Sequence, residues 1–149
     1  MGRTGKKILK LKPLDEERRE FLRTRTERAL SESPYLKRLH DLLVEIGGEA
    51  VVLWNGSNRE RLVNDLIGLG KAESAHRVRM QPGEPGNCHE NSRRLASERP
   101  QQYLLCTGYA LSKDSVWRPH SWVWDVETSS IVETTEERIV YFGLIELSR

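Results

Sequence analysis

The chain has 149 residues, of which 31% are charged and 37% apolar, and its formal net charge at pH 7 is +2. This length fits one domain with one core. No apolar run approaches the ~20 residues that a membrane-spanning helix requires. The positive excess lies in the first dozen residues, and basic residues alternate with acids elsewhere, so the composition disfavours a nucleic-acid groove. We therefore expect a flexible basic arm over residues 1–13 and a single domain over 14–149.

The first residues, MGRTGKKILKLKP, lack the apolar core of about 7 to 15 residues that marks a secretory signal. This predicts a cytoplasmic protein, or one exported without a cleavable signal. The chain contains only two cysteines, Cys88 and Cys106, and nothing in the composition indicates an oxidising compartment. Both are expected to be free thiols.

The first half of the chain is predicted to be mainly helical. A helix over residues 14–33 carries acids in its first turn and only a thin apolar stripe, which is typical of a solvated outer helix. A second helix begins at Pro34 and ends at Gly47, with apolar residues at three and four residue spacing. Residues 49–56, EAVVLWNG, follow as a buried strand. Ser57 and Glu60 then form a capping box for a third helix that ends at Gly70.

The second half is predicted to consist mostly of strands. A strand over residues 76–80 precedes the loop QPGEPGN, in which two prolines and two glycines exclude regular structure. Residues 88–98 have helical composition. Four segments rich in β-branched and aromatic residues come last, at 101–111, 116–126, 130–135 and 137–147. This order predicts an α+β fold, with N-terminal helices and then a Cys-bearing helix packed on an antiparallel sheet of about four to five strands.

Cys88 stands at the predicted start of a helix, where the pKa of a thiol falls and free backbone N–H groups favour an oxyanion. The adjacent His89 does not face it, because neighbouring helical side chains diverge by about 100°. His40 lies between core positions of a helix. His120 lies in the strand-like stretch PHSWVWD with Trp122 on the same face, where the indole would exclude water. Cys88 and His120 are therefore the candidate nucleophile and base.

These residues resemble a known constellation. Cys88 at a helix start, His120 in His-Ser-Trp-Val and the following VETT are similar to the Cys, His-x-Trp and Asp-Pro-Thr elements of the transglutaminase-like branch of the papain-like superfamily. The resemblance covers residues 80–145. It implies acyl transfer from an amide or ester through a thioester at Cys88, as in a protease, deamidase or transglutaminase. It also implies a protein or peptide-like substrate and no cofactor.

The resemblance also suggests substrate-binding and oxyanion groups. Gln81 resembles the glutamine that donates to the oxyanion in papain-like proteases, although it stands one residue further from the cysteine than in that pattern. Asn87 adjoins Cys88 and is expected to touch the substrate. Trp122 is expected to form a wall of the site.

The acidic partner of His120 depends on strand register. A four-residue loop at 127–130 would pair Val126 with Ile131, which places Glu137 opposite His120 and Glu133 two pairs away; a bulge would bring Glu133 closer. We favour Glu133, because an acid is unexpected in its apolar, threonine-rich strand, whereas Glu137 belongs to a charged group typical of a solvated turn. Asp125 lies on the opposite face by alternation. The predicted triad is Cys88, His120 and Glu133.

Two other interpretations compete with the triad. A zinc site from Cys88, His89, Cys106 and His120 lacks the closely paired ligands of structural zinc, so no metal is expected. Cys106 lies in the middle of a strand and is expected to pack in the core. The alternative function is a non-catalytic binding or regulatory domain on the same fold, in which Cys88 would be buried with its sulfur turned away from His120. No feature of the sequence specifies an oligomeric state.

Overall fold

In the computed structural model, residues 11–54, 58–74 and 77–146 are described. Helices predominate in the first half of the described chain and strands in the second, and the predicted α+β class is confirmed. The elements in chain order are α1 (Glu16–Glu32), a 3-10 turn (Pro34–Leu36), α2 (Lys37–Ile46), β1 (Ala50–Val51), α3 (Glu60–Leu69), β2 (Lys71–Ser74), β3 (Val78–Met80), α4 (Cys88–Glu98), β4 (Tyr103–Leu111), β5 (Val116–Asp125), β6 (Ser130–Glu133) and β7 (Val140–Ile145).

The first two helices follow from their sequence patterns. The side chain of Asp15 caps α1 by accepting a hydrogen bond from the Arg18 backbone N–H at 2.8 Å, and Leu22 is the buried residue of this helix. In α2, Leu39 and Leu43 are fully buried against the sheet. The helix therefore contributes to the core, whereas α1 lies on the outside.

The sheet is larger than predicted, and it is mixed rather than purely antiparallel. Its strand order is β2-β7-β4-β5-β6-β3, and β1 pairs with β5 beside this path. The pairs β1–β5 and β3–β6 are parallel. The two strands that add parallel pairs span only two and three residues, which is too short for a clear period. The edge strand β2, KAES, was not predicted because it has no apolar alternation.

The sheet must curl, because its two edge strands are almost consecutive in the chain. Only residues 75–77 separate the end of β2 from the start of β3. Such a segment spans at most about 14 Å. One face of the sheet, here called the inner face, carries a cluster that includes Cys106, Trp122 and Tyr141. The outer face carries the core beneath α2 and α3 and a smaller cluster in which Leu95 of α4 contacts the sheet.

Strand β5 is left open over part of one edge. On one side, β4 pairs with it continuously from Trp117 to Asp125. On the other side, β1 pairs only at 116–117 and β6 only at 123–125. The start of α4 lies at this interval, where the His89 ring contacts the Ser121 hydroxyl at 2.9 Å. A helix end thus meets a strand edge that no neighbouring strand covers in the described residues.

Several predicted features lie partly outside the described residues. Most of the basic arm, residues 1–10, and the predicted cap residue Ser57 are among these. Helix α3 begins at Glu60 with Arg59 at its N-cap position. At the end of the predicted arm, the backbone N–H of Lys12 donates to the Lys113 carbonyl at 2.9 Å. No helix in the described ranges combines the length and apolarity needed to cross a bilayer.

Candidate active site

One loop ties the start of α4 to the end of β6. The backbone N–H groups of Gln81 and Gly83 donate to the carbonyls of Glu133 and Thr134, each at 2.8 Å, which continues the parallel pairing of β3 with β6. Through this loop, the helix that carries Cys88 and the strand that carries Glu133 are held in fixed relation.

Asn91 secures the same loop from the helix side. Its amide oxygen accepts from the Glu84 N–H at 3.1 Å, and its amide nitrogen donates to the Glu84 carbonyl at 2.9 Å. Gly83 is needed here, since a Cβ at this position would lie 2.5 Å from Asn91 Cγ. Asn91 is therefore buried although it is a polar residue of a helix. Its burial follows from a contact with a distant loop, which helical periodicity alone does not reveal.

Cys88 is the first residue of α4 and is partly buried. Its backbone N–H, like the others of the first turn, has no acceptor within the helix. Asn87 occupies the N-cap position, is exposed, and makes no side-chain capping bond. The Cys88 position therefore combines a thiol with a backbone N–H that has no acceptor within the helix, at the positive end of a helix dipole.

His120 and Glu133 are in direct contact. The Nε2 atom of His120 lies 2.8 Å from Oε1 of Glu133, and both side chains are buried. Because Glu133 occupies Nε2, the nitrogen left to interact with Cys88 is Nδ1. The structure thus brings the three predicted site residues together from α4, β5 and β6.

Glu133 is surrounded by hydrogen-bond donors. Besides His120, its Oε1 accepts from the Tyr141 hydroxyl at 2.7 Å. Its Oε2 accepts from the backbone N–H and the hydroxyl of Thr135 at 2.9 and 2.8 Å. A buried carboxylate needs such partners to remain charged. Tyr141 and Thr135 are supporting residues that the sequence reasoning missed, although Thr135 lies within the VETT motif.

The register of the β5–β6 hairpin differs from the ideal one. Asp125 pairs with Ser130 and Trp124 with Ile131, so the four-residue loop is 126–129 rather than 127–130. The cause is the Asp125 side chain, which accepts from the backbone N–H groups of Glu127 and Thr128 and so starts the turn one residue early. The sum of paired residue numbers falls from 257 to 255, and this register, continued by one residue, places Glu133 opposite Trp122 and therefore diagonal to His120, whereas Glu137 moves away from it.

The charges of the site stabilise one another. Burial by itself would raise the pKa of the Cys88 thiol, but the His120 ring and the Ser121 backbone N–H hold this pKa below its ordinary value. Burial would likewise lower the pKa of His120, but Cys88 and Glu133 raise it. For Glu133, burial is outweighed by His120, Tyr141 and Thr135, and its pKa is lowered. The arrangement favours a thiolate, an imidazolium and a carboxylate.

Aromatic rings enclose the histidine. The Trp122 indole stacks on the His120 ring with centroids 5.9 Å apart, and the Tyr141 ring lies 6.0 Å from it. The indole extends over Gly143, where a Cβ would lie 2.6 Å from Trp122 Cη2. This glycine, on a strand two places from β5, therefore makes room for the ring that shields His120. The sequence gives no local sign of this role.

Cys88 and His120 open into one cleft of about 1260 Å³. Small-molecule pockets have volumes of roughly 300–1,000 Å³, so this one has room for a longer substrate segment. The other lining side chains are mostly polar. They belong to the β4–β5 connection, to the start of β5 and to the segment after β6: Ser112, Lys113, Asp114, Arg118, Pro119, Thr135, Glu136, Glu137, Arg138 and Ile139.

Gln81 is not part of this cleft. Its side chain is exposed and accepts a hydrogen bond from Arg79 at 3.0 Å. It lines a separate depression with Arg79 and Asp125. Pairing of the Gln81 backbone with β6 turns the side chain toward Arg79, so we do not retain Gln81 as the oxyanion donor.

The second cysteine and the second histidine have different surroundings. Cys106 is buried in the inner-face cluster, and burial raises the pKa of its thiol to about 12. His89 points to Ser121, whose own N–H faces Cys88. No three His, Cys, Asp or Glu side chains within the described ranges are grouped as metal ligands.

Comparison with known proteins finds no matching family model, curated protein or solved structure.

Proposed function

We propose that this protein is a cysteine-dependent acyl-transfer enzyme of the transglutaminase-like kind, with Cys88 as nucleophile, His120 as base and Glu133 as the residue that orients His120. The single observation that carries the proposal is the contact of His120 Nε2 with the buried carboxylate of Glu133 at 2.8 Å, in a ring whose other nitrogen serves Cys88. Hydrogen bonding that selects one tautomer and stabilises the imidazolium is the role of the acid in such triads.

The proposed reaction begins with transfer of the Cys88 proton to His120 Nδ1. The thiolate then attacks the carbonyl carbon of an amide or ester, and the backbone N–H of Cys88 donates to the oxyanion that forms. The imidazolium gives its proton to the leaving amine or alcohol as the C–N or C–O bond breaks. A thioester remains on Cys88.

The second half of the reaction releases the acyl group. Water or an amine attacks the thioester, and His120 takes the proton of the attacking group. The C–S bond breaks and returns the thiolate. Water yields hydrolysis or deamidation, and an amine yields a new amide. The extended cleft favours a protein or peptide-like substrate, since it exceeds the size of a small-molecule pocket.

The orientation of the thiol also bears on the non-catalytic alternative. A binding domain that had lost the chemistry would have Cys88 buried and turned away from His120. Here Cys88 is only partly buried and interacts with the ring. This supports the enzymatic proposal over the binding domain.

The proposal is tested with an activated ester, p-nitrophenyl acetate. We expect a burst of p-nitrophenol together with an acetyl thioester on Cys88, identified by mass spectrometry and removed by hydroxylamine. Cys88→Ser and His120→Ala should each reduce the burst rate by at least about 10²-fold, as expected for loss of a nucleophile or base. Cys106→Ser is the matched control and should acylate normally. A wild-type protein that acquires no acyl group at Cys88 would refute the proposal.

A further inference from the structure

The cleft contains a cation that is held in place but not neutralised. Arg138 lines the cleft with Cys88 and His120. Its guanidinium donates to the Glu136 carbonyl at 2.8 Å, to the Ser112 hydroxyl at 3.3 Å and to the Thr135 hydroxyl at 3.2 Å. All three acceptors are uncharged. Among the described residues no carboxylate lies within ion-pair distance of Arg138, although Glu136 and Glu137 are its chain neighbours.

Arg118, in the same cleft, provides a comparison. Its two terminal nitrogens lie 3.1 and 2.7 Å from the two carboxylate oxygens of Asp114, so its charge is already paired. Arg138 instead uses three of the five N–H donors of a guanidinium. One N–H donor remains on each of its two terminal nitrogens, the atoms through which a guanidinium binds a carboxylate in bidentate fashion.

Arg138 is also connected to the triad. The Thr135 hydroxyl that accepts from Arg138 donates in turn to Oε2 of Glu133 at 2.8 Å. Glu133 then bonds to His120. An anion bound at Arg138 would therefore lie on the side of the cleft where the acid of the triad is held.

We propose that Arg138 binds a carboxylate of the substrate, so that the enzyme acts on amides that carry an acidic group near the reacting carbonyl. This inference rests on the proposed function and names its substrate class. The carboxylate belongs either to an acidic side chain or to a free chain terminus. In both cases the carboxylate supplies the negative charge that would pair with the Arg138 guanidinium. Lys113, exposed in the same cleft, is a second cation without fixed geometry.

The test compares two alkylating reagents at Cys88, the anion iodoacetate and the neutral iodoacetamide. Both react with the same thiolate. The ratio of the iodoacetate rate to the iodoacetamide rate is therefore independent of the thiolate fraction and reports anion binding near the sulfur. We expect Arg138→Gln to lower the ratio by about 5- to 10-fold, the range for loss of a charge-assisted hydrogen bond in partial contact with water. Arg138→Lys, which keeps the charge, should lower it less.

Lys113→Gln is the matched control, because it removes the same charge from the same cleft. A change of less than about 2-fold is expected there, as for a solvated surface charge. An unchanged ratio in Arg138→Gln would overturn the inference, and so would an equal fall in both variants, since that would indicate a diffuse field. These results do not depend on acylation by p-nitrophenyl acetate, so failure of the inference and failure of the proposed function remain distinguishable.

Blocked peptides then separate the two sources of the carboxylate. Protection of Cys88 from iodoacetamide is measured with a peptide containing an internal Glu, with one ending in a free carboxylate, and with a neutral peptide of equal length. Stronger protection by the first or the second, lost in Arg138→Gln, identifies the source and supports the inference. Equal protection by all three would overturn the assignment of the substrate class.

Discussion

The two cysteines lie on neighbouring elements yet in opposite chemical surroundings. Cys88 is at the first turn of α4, beside the interval of β5 that no described strand covers, and His120 and Ser121 lower the pKa of its thiol. Cys106 is in the middle of β4, paired with Trp122 on one side and Ile145 on the other, and burial raises the pKa of its thiol to about 12. The thiol with the lowered pKa lies beside an uncovered strand edge, and the thiol with the raised pKa lies in a strand that is paired on both edges.

The contrast between the two cysteines has a structural cause in the pairing of the strands beside them. A strand paired on both edges leaves no backbone N–H free for a ligand. The uncovered interval of β5 lets a helix end approach, so that backbone donors and an imidazole converge on one sulfur. The same Trp122 serves both regions, because it pairs with Cys106 and stacks on His120.

The largest expected effect is the difference in alkylation rate between the two thiols. At pH 7 a thiol with a pKa of about 12 is ionised in roughly one molecule in 10⁵, whereas an ordinary thiol is ionised to a few per cent. We expect iodoacetamide to modify Cys88 at least about 10³-fold faster than Cys106, measured by peptide mass spectrometry. Comparable rates in the folded protein would show that the two environments do not differ as described.

The next effect separates the two histidines near Cys88. His120→Ala removes the ring that lowers the pKa of the thiol, so that pKa should rise and alkylation of Cys88 at pH 6 should slow by about 10- to 100-fold. The rate should recover as the pH rises toward 9. His89→Ala is the control and should keep the low-pH reactivity. If both variants behaved alike, His120 would not be the partner of Cys88.

Glu133→Gln tests the third member through stability and reactivity together. In this variant an amide replaces the buried carboxylate that accepts from the backbone N–H and the hydroxyl of Thr135. The free energy of unfolding, measured with urea, should therefore fall by about 3 kcal/mol. Because the folded-state pKa of Glu133 lies below its ordinary value of 4.5, its contribution is present above that pH and is lost as the pH falls through the lowered pKa. The difference in the free energy of unfolding between Glu133→Gln and the wild type should therefore become smaller at acid pH.

Asp125→Asn provides the matching control for this variant. Asp125 is equally buried and bonds to Gln102, Arg79 and the turn backbone, but it faces away from the cleft. We expect a loss of stability of similar size with unchanged alkylation of Cys88. Slower alkylation in Asp125→Asn to the same degree as in Glu133→Gln would point to general loosening of the fold.

The smallest effect concerns the glycine beneath Trp122. A Cβ in Gly143→Ala would lie 2.4 Å from the Thr107 carbonyl oxygen and 2.6 Å from the indole, so the free energy of unfolding should fall by about 1–3 kcal/mol. The exposed helical Gly68 has no atom within 4 Å of such a Cβ. Gly68→Ala should raise stability by about 0.5–1 kcal/mol. Thermal denaturation of both variants measures the contrast, and equal effects would contradict the packing of Trp122 against Gly143.

Local pattern was sufficient for the elements that carry the site. The bounds of α4 at Cys88–Glu98 agree with the composition of CHENSRRLASE, and the long strands β4 and β5 follow from their aromatic and β-branched residues. The segments that contain β1 and β3 were predicted as strands over 49–56 and 76–80, but the polar β2 and the parallel pairing of the two short strands were not. Their pairing depends on neighbours that are distant in sequence.

The α+β class, the position of Cys88 at a helix start and the placement of a histidine and a tryptophan on one strand face could all be predicted, because these depend on residues close together in the chain. Three further features became apparent in the folded molecule: Glu133 rather than Glu137 contacts His120, Gln81 is outside the cleft, and no carboxylate of the described residues pairs with Arg138. Those outcomes depend on hairpin register and on a loop that joins α4 to β6. Register shifts by whole residues when one side chain, here Asp125, caps a turn.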